Sequence, residues 1–191
     1  TGPQGFGIAN MADSLYAVRQ LVYQQKVMSM EELKEALAWN YGKGIDAQSA
    51  GDIATIVMKK LQENGISVNA DTAKAIMTAA MGAQPDPAKK ARFEEIHKMI
   101  DEVPKYGNDI PDVDYFAREV AYTYTKPLQK YTNPRGGHYQ AGLYPVSANV
   151  PLGGQTGATP DGRYAHTPVA DGVSPSAGKD VNGPTAAATS V

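Results

Sequence analysis

The residue types that most often do chemistry are scarce in this chain. It contains no cysteine and three histidines, His97, His138 and His166. No two of these histidines are spaced to share one face of a helix, and thiolate ligands are absent, so we expect no metal site. Serine and aspartate are present, but no G-x-S-x-G turn orients a serine nucleophile. The sequence therefore offers no conventional catalytic constellation.

Glycine-rich segments stand out instead. GPQGFG, residues 2–7, lacks the glycine order of a dinucleotide loop and the lysine of a phosphate loop, so we interpret its glycines as points of close backbone approach. Residues 133–163 are rich in glycine and proline, yet they retain apolar side chains such as Leu143 and Leu152. That mixture predicts an irregular path fixed by packing, and ordered loops of this kind often line sites.

The elements that must position these loops are predicted to be helices. From about residue 10 to 131, apolar side chains recur three and four positions apart, which is the helical period. Start signals lie at Asn10, at Ser29 with Glu32, and at Asp86 with Pro87. A helix stop is predicted near Gly65.

After about residue 132 the pattern changes, because glycine and proline recur every few positions. YPVSANVPL, residues 144–152, is the one run with strand character. We expect short strands joined by ordered loops. A disordered tail is the alternative, and it would leave the apolar side chains of this region in water.

The overall charge argues against nucleic acid or an anionic membrane as a partner. The formal net charge is −2 at pH 7, which provides no basic surface. No stretch approaches the ~20 apolar residues that cross a bilayer, and the first residues lack a signal-peptide pattern. We expect a soluble, cytoplasmic chain, and both ends are interpreted as cuts from a longer polypeptide.

Three whole segments resemble one protein family. They are TGPQGFGIANMADSLYAVRQLVY (residues 1–23), VPKYGNDIPDVDYFAREVAYTY (103–124) and the run that starts YTNPRGGHYQAGLYPVSANVPLGGQTGATPDGR (131–191). In their amino-acid sequences and in their order along the chain, they resemble consecutive stretches of the glycyl radical enzymes, in the branch that dehydrates diols and cleaves choline. The resemblance covers nearly the whole chain except residues 43–92.

Two features narrow the resemblance within this branch. The long connector before VPKYGND is similar to that of the cobalamin-independent 1,2-propanediol dehydratases, whereas the glycerol dehydratases have a much shorter one. Isethionate-cleaving relatives carry an arginine near the position of Gln140, which argues against a sulfonate substrate. Choline trimethylamine-lyases are nearly as similar in GLYPVSANVPLG and TPDGR, so that activity stays open. A hypothesis of another class, a non-catalytic helical interaction domain, also stays open.

The resemblance implies an α/β fold. The chain would be a fragment of a pyruvate formate-lyase-like ten-stranded β/α barrel, with its first two-thirds helical and loops and short strands after that. Residues 1–42 and 104–191 would belong to the barrel domain, and residues 43–103 would form a helical insert.

The resemblance also implies chemistry that lies outside this chain. In the family, an activating enzyme that uses S-adenosylmethionine installs a radical on a glycine, and a cysteine relays it to substrate. Neither residue is expected here, so this chain would hold no catalytic residue and no directly bound cofactor. Implied partners are a small diol (1,2-propanediol, converted to propionaldehyde, or glycerol), the activating enzyme, the remaining parts of the same enzyme and a second copy in a homodimer. An anaerobic setting is implied, and packaging in a bacterial microcompartment stays open.

The same resemblance assigns four residues to the substrate pocket. Tyr144 in GLYP matches a tyrosine that lines the pocket of the diol dehydratases. Gln140, four residues earlier, is expected to face the same cavity, and Val146 and Ser147 are expected to shape it.

Other polar residues of the glycine-rich third, residues 132–191, are expected to be structural. Arg135 in NPRGG is interpreted as a clamp that donates to carbonyls of its own loop. The pairs Asp161–Gly162 and Asp171–Gly172 are typical of turns, and we assign them no catalytic role.

Overall fold

The computed structural model describes residues 2–45, 47–82, 84–144 and 147–191. The α-helices within these ranges are, in chain order, α1 (Ile8–Ala17), α2 (Met30–Ala38), α3 (Ala47–Glu63), α4 (Ala70–Gly82), α5 (Pro87–Glu102), α6 (Pro111–Leu128), α7 (Asn149–Gly154) and α8 (Pro184–Ser190). A π-helix, Val18–Gln24, extends α1, and a 3-10 turn, Asn40–Gly42, follows α2. The prediction that the first two-thirds is helical is confirmed.

Two of the predicted helix starts are confirmed by their hydrogen bonds. At the start of α2, the Ser29 hydroxyl accepts from the backbone N–H of Glu32, and the Glu32 carboxylate accepts from the backbone N–H of Ser29. At the start of α5, the carboxylate of Asp86 accepts from the N–H of Ala88 at 2.9 Å. Such caps satisfy N–H groups that the first turn leaves unpaired.

The predicted cap at Asn10 is wrong. The helix α1 begins earlier, at Ile8, because Gly7 adopts a left-handed conformation with φ 74° that turns the chain into the helix. Asn10 therefore lies inside the first turn and is buried. Its side chain is free to make tertiary hydrogen bonds instead of a cap.

Helices α1, α5 and α6 build most of the hydrophobic core. Its large buried side chains include Tyr16 on α1, Phe93, Ile96 and Ile100 on α5, and Val113 on α6. Tyr16 also meets Phe116 of α6 edge to face, with ring centroids 6.0 Å apart. Each such side chain stabilises the fold by roughly 1.5–3 kcal/mol through the apolar area that it buries.

Helices α3 and α4 pack against each other. The small residues Ala50 and Ala54 of α3 are buried, whereas Ile53 and Ile56 are exposed. The predicted stop is confirmed, because α3 ends at Glu63 and Gly65 follows with φ 77°. Since α5 lies in the central core, α3 and α4 are the part of residues 43–103 that stands apart from it. The insert boundaries of 43 and 103 remain a prediction.

The strand predicted for YPVSANVPL is wrong over residues 149–152, which belong to helix α7. Its N–H groups pair locally, with Leu152 donating to the carbonyl of Ala148 at 3.1 Å. Pro151 lies in the first turn, where a missing N–H is tolerated. A strand needs a neighbour that pairs with its backbone, and this segment instead places Gly153 against residues 167–169.

The strand pairing that does form among the described residues consists of isolated bridges. Gln4 pairs in parallel with Gly142, and Thr132 pairs in antiparallel fashion with His138. No described helix combines the length and the apolar character needed to cross a membrane. The glycine-rich third is held by turns, buried polar bonds and close glycine contacts rather than by a sheet.

Candidate functional site

The N-terminal glycine segment and the GLYP segment run side by side. The N–H of Gly142 donates to the carbonyl of Pro3 at 2.8 Å, and the N–H of Gly5 donates to the carbonyl of Gly142 at 2.9 Å. These two bonds fix the register of residues 3–5 against residue 142. The interpretation of the GPQGFG glycines as points of close approach is confirmed at Gly5, where a Cβ atom would lie 2.9 Å from the Leu143 side chain.

Glycines also determine where Tyr144 lies. A Cβ atom on Gly142 would sit 2.6 Å from Cε1 of Tyr144, so the ring rests directly against the Gly142 backbone. On the other side of the chain, Gly172 has φ 53°, and a Cβ atom there would lie 2.4 Å from the carbonyl oxygen of Leu143. The N–H of Val173 donates to that same oxygen at 3.0 Å. Close contacts with Gly142 and Gly172 therefore fix the positions of Leu143 and Tyr144.

The hydroxyl of Tyr144 accepts a hydrogen bond from the side-chain amide of Gln4, at 2.7 Å. The Tyr144 side chain is 52% exposed. Gln140 and Ser147 are exposed as well, and Val146 lies outside the described residues. Tyr144, Gln140 and Ser147 are thus each accessible in this segment, and their place in a substrate pocket remains a prediction. Gln4 was not predicted as a site residue.

A cavity of about 280 Å³ lies between α1 and residues 161–179. Polar side chains that line it include Asn10, Asp13, Asp161, Ser176 and Lys179. Asn10 joins the two sides, because its amide nitrogen donates to Asp161 at 2.6 Å and to the Ser176 hydroxyl at 3.3 Å. Its amide oxygen accepts from the N–H of Ala170 at 2.6 Å.

Asp13 is the most deeply buried carboxylate of this cavity, with 1% of its surface exposed. Its Oδ1 accepts from the N–H of Tyr106 at 2.8 Å, and its Oδ2 has no partner among the described residues. Burial raises the pKa of the Asp13 carboxyl to about 7, although the Tyr106 N–H and the charge of Lys105 act in the opposite direction. Burial also lowers the pKa of Lys105, whose ammonium donates to the carbonyl of Ile100.

Arg163 clamps the TPDGR segment. Its guanidinium donates to the carbonyl of Thr167 at 2.7 Å and to that of Tyr164 at 3.2 Å. Further donations go to the carbonyls of Thr156 and Gly157, and Nε donates to the Thr159 hydroxyl at 3.1 Å. Burial lowers the pKa of Arg163. A planar group with five donors is suited to this task.

The clamp role predicted for Arg135 is wrong. Arg135 is exposed, and it joins its own loop through its backbone N–H, which donates to the Asn133 side chain at 2.9 Å. The carbonyl clamp of the glycine-rich third is Arg163 instead. The two predicted turns are confirmed: Gly162 donates to the carbonyl of Thr159, and Ser174 donates to that of Asp171.

Aromatic side chains of the helical part hold the TPDGR turn from outside. The Tyr41 hydroxyl donates to the carbonyl of Thr159 at 2.7 Å. Nε2 of His97 lies 2.8 Å from the carbonyl of Gly162, and its ring stacks on Tyr164 with centroids 4.5 Å apart. Across the described ranges, no group of three or more His, Cys, Asp or Glu side chains could hold a metal ion. These contacts position a loop rather than a reactive group.

Comparisons with known proteins fit this arrangement. The family model for pyruvate formate lyase-like proteins matches residues 1–153. The probable dehydratase YbiW of Escherichia coli (strain K12) is 36% identical over 191 residues, which are 97% of this chain and 18% of that relative. The isethionate sulfite-lyase of Oleidesulfovibrio alaskensis is 30% identical over 181 residues, which are 94% of this chain and 16% of that relative.

Solved structures agree with these matches. A structure concerned with 1,2-propanediol dehydration in Roseburia inulinivorans is 60% identical, with a TM-score of 0.93, over 100% of this chain and 23% of that one. The B12-independent glycerol dehydratase of Clostridium butyricum is 39% identical, with a TM-score of 0.69, over 100% of this chain and 18% of that one. This chain therefore spans about a fifth of the length of these relatives.

The fold and the family matches lead to one assignment. The described helices and the glycine-rich third form a segment of the fold that these larger enzymes share. The family model covers well over half of the chain. This chain belongs to the pyruvate formate lyase-like family, the glycyl radical enzymes.

Proposed function

We propose that this chain is a segment of a glycyl radical dehydratase that eliminates water from a vicinal diol. The first choice of substrate is 1,2-propanediol, which would give propionaldehyde and water, and glycerol is the second. The observation that carries this proposal is the 60% identity and TM-score of 0.93, over the whole chain, with the Roseburia inulinivorans protein. The match to the glycerol dehydratase is weaker on both measures.

The length of the helical insert supports the same choice. The sequence resemblance associates a connector of this length with propanediol rather than glycerol dehydratases. Both solved structures cover 100% of this chain, α3 and α4 included, and the Roseburia inulinivorans protein superposes more closely, at a TM-score of 0.93 against 0.69 for the glycerol dehydratase. We therefore keep residues 1–42 and 104–191 as parts of the barrel domain and residues 43–103 as the insert.

The chain's own contribution would be to line and support the substrate pocket. Tyr144, Gln140 and Ser147 are accessible in this segment, so other parts of the enzyme can close a pocket against them. Val146 belongs to the same proposed wall. A radical reaction needs water and stray hydrogen donors kept away from substrate. The glycine contacts that fix the Tyr144 backbone suit that requirement, because they leave little room for the loop to shift.

The radical chemistry would come from residues elsewhere in the polypeptide. This sequence contains no cysteine, so the residue that relays the radical would lie in another segment. The radical glycine would lie there too, and an S-adenosylmethionine radical activase would install its radical. A homodimer, a cytoplasmic setting and an anaerobic reaction are parts of the same proposal.

The alternatives receive less support. Choline cleavage draws on the resemblance of two segments, and the similar structures described above concern propanediol and glycerol. An isolated interaction domain does not account for family matches that run across nearly the whole chain. Gln140 provides no cation for a sulfonate, which disfavours an isethionate substrate.

The test is a substrate comparison with the activated full-length enzyme under strict anaerobiosis. Equal concentrations of 1,2-propanediol, glycerol and choline are supplied separately, and aldehyde and trimethylamine are measured. We expect propionaldehyde from 1,2-propanediol at the highest kcat/KM. Trimethylamine release from choline at a higher kcat/KM than either dehydration would contradict the proposal.

A further inference from the structure

We propose that Gln4 is a positioning residue for Tyr144, and this inference rests on the proposed diol dehydratase function. The Gln4 amide nitrogen lies 2.7 Å from the Tyr144 hydroxyl oxygen. In this role Gln4 donates to the phenol oxygen and leaves the phenol hydrogen available for a substrate hydroxyl. The recognised chemistry is a small vicinal diol whose hydroxyl oxygen accepts a hydrogen bond.

The backbone sets the two side chains at this separation. Gly142 pairs with the carbonyl of Pro3 and with the N–H of Gly5, on either side of Gln4. The Tyr144 ring in turn rests on Gly142, where a Cβ atom would lie 2.6 Å from the ring. Gly142 thus positions both the backbone that carries Gln4 and the ring of Tyr144. The two side chains therefore lie within hydrogen-bond distance with little conformational freedom to lose.

The direction of the hydrogen bond determines what Tyr144 can offer a ligand. A phenol has one hydrogen to donate, and its oxygen can also accept. When the Gln4 N–H donates to that oxygen, the phenol hydrogen points elsewhere. If the amide were turned over, its oxygen would take the phenol hydrogen, and Tyr144 could then only accept from substrate. The two arrangements predict different responses to a carboxylate at position 4: weaker diol binding if the amide nitrogen faces the phenol, and little change if the amide oxygen does.

The Gln4–Tyr144 hydrogen bond is expected to contribute little to stability. It is a single bond between two neutral side chains, and such a bond contributes about 1 kcal/mol. Removing it should leave the fold intact. A positioning role, by contrast, changes how tightly substrate is held and how well it is oriented, because a fixed donor avoids the ordering cost of a free one.

The experiment uses the full-length enzyme with Gln4→Glu, Gln4→Met and, as a matched control, Gln62→Glu on the exposed face of α3. The Gln4→Glu carboxylate can only accept, so it draws the phenol hydrogen away from substrate. We expect about a tenfold weaker Kd for 1,2-propanediol in the unactivated protein and a similar loss of kcat/KM after activation, as for one lost hydrogen bond. Gln4→Met should lose less, and Gln62→Glu should match wild type.

Each variant is also made in a Tyr144→Phe background. If Gln4 acts through the phenol, Gln4→Glu causes no further loss of diol affinity there. Equal losses in both backgrounds, or an unchanged or tighter Kd for Gln4→Glu alone, would overturn the inference. A failure of the proposed function is seen separately in the wild type, which would neither bind nor dehydrate the diol, and it would overturn both.

Discussion

The amide of Asn10 on α1 donates to the carboxylate of Asp161 at 2.6 Å, and the two residues are 151 positions apart in the sequence. Asn10 also binds Ser176 and the backbone of Ala170. One buried side chain thus connects the helical part to three points of the glycine-rich third. The glycine-rich third is therefore anchored to the helical core.

Replacing Asn10 by alanine should destabilise the protein by about 3 kcal/mol, because buried partners lose their hydrogen bonds together. The measurement is the thermal unfolding temperature of the full-length enzyme. Asn64→Ala, at an exposed position after α3, is the control and should change stability by less than about 0.5 kcal/mol. Equal shifts for the two variants would contradict the anchoring role of Asn10.

Adjacent glycines in α7 should respond differently to alanine. A Cβ atom on Gly153 would lie 2.3 Å from the carbonyl oxygen of Thr167, whereas Gly154 has nothing within 4 Å. We expect Gly153→Ala to lower stability by about 2 kcal/mol or more through overpacking against backbone, and Gly154→Ala to be neutral or slightly stabilising. Limited proteolysis of residues 149–170 and unfolding temperatures check this. Similar behaviour of both variants would show that α7 does not pack as described.

The buried Asp13 carboxyl should make stability depend on pH. Its pKa rises from 3.8 to about 7 in the folded protein. The folded state therefore binds the proton more tightly than the unfolded state between these values, and stability falls as pH rises through this window. The full effect is up to about 4 kcal/mol.

Asp13→Asn should remove this dependence, so its stability relative to wild type should increase from pH 5 to pH 8. Unfolding temperatures of the full-length enzyme at both pH values measure the change. The control is Asp52→Asn, which replaces an exposed carboxylate on α3. Its unfolding temperatures should change with pH as those of the wild type do. A constant difference between Asp13→Asn and wild type would show that Asp13 does not titrate in this range.

Arginine should be required at position 163 but not at position 135. Lysine cannot reproduce the fork that binds several carbonyls around residues 156–167. We expect Arg163→Lys to cost about 2–3 kcal/mol, since buried carbonyls lose partners, and Arg135→Lys to cost less than about 0.5 kcal/mol. The unfolding temperatures of the two variants, each compared with wild type, test this difference. A larger loss for Arg135→Lys would restore the original interpretation of that residue.

Local signals predicted the helices well because their causes are local. The capping box of Ser29 and Glu32 and the Asp86 cap act within one turn, and both appear in the structure. Asn10 was misinterpreted because a cap and a tertiary anchor use the same side chain. Its partner Asp161 is too distant in sequence to signal the difference.

The glycine-rich third was harder to predict because its contacts are non-local. Strand propensity in YPVSANVPL has no effect without a paired neighbour, and α7 forms instead. Arg135 and Arg163 both sit beside glycines, and only the fold shows which of them meets a set of carbonyls. A polar residue between the glycines at positions 2 and 5 could have drawn attention to Gln4.

The most direct test of the account compares Tyr144→Phe with Tyr164→Phe in the activated full-length enzyme, with propionaldehyde formation from 1,2-propanediol as the readout. Tyr164 stacks on His97 and is not a proposed pocket residue, so its substitution should change kcat/KM by about twofold or less. Tyr144→Phe should lower kcat/KM by about tenfold or more. Equal, negligible effects of the two substitutions would remove Tyr144 from the pocket. Absence of propionaldehyde from the wild-type enzyme would contradict the assignment to diol dehydration.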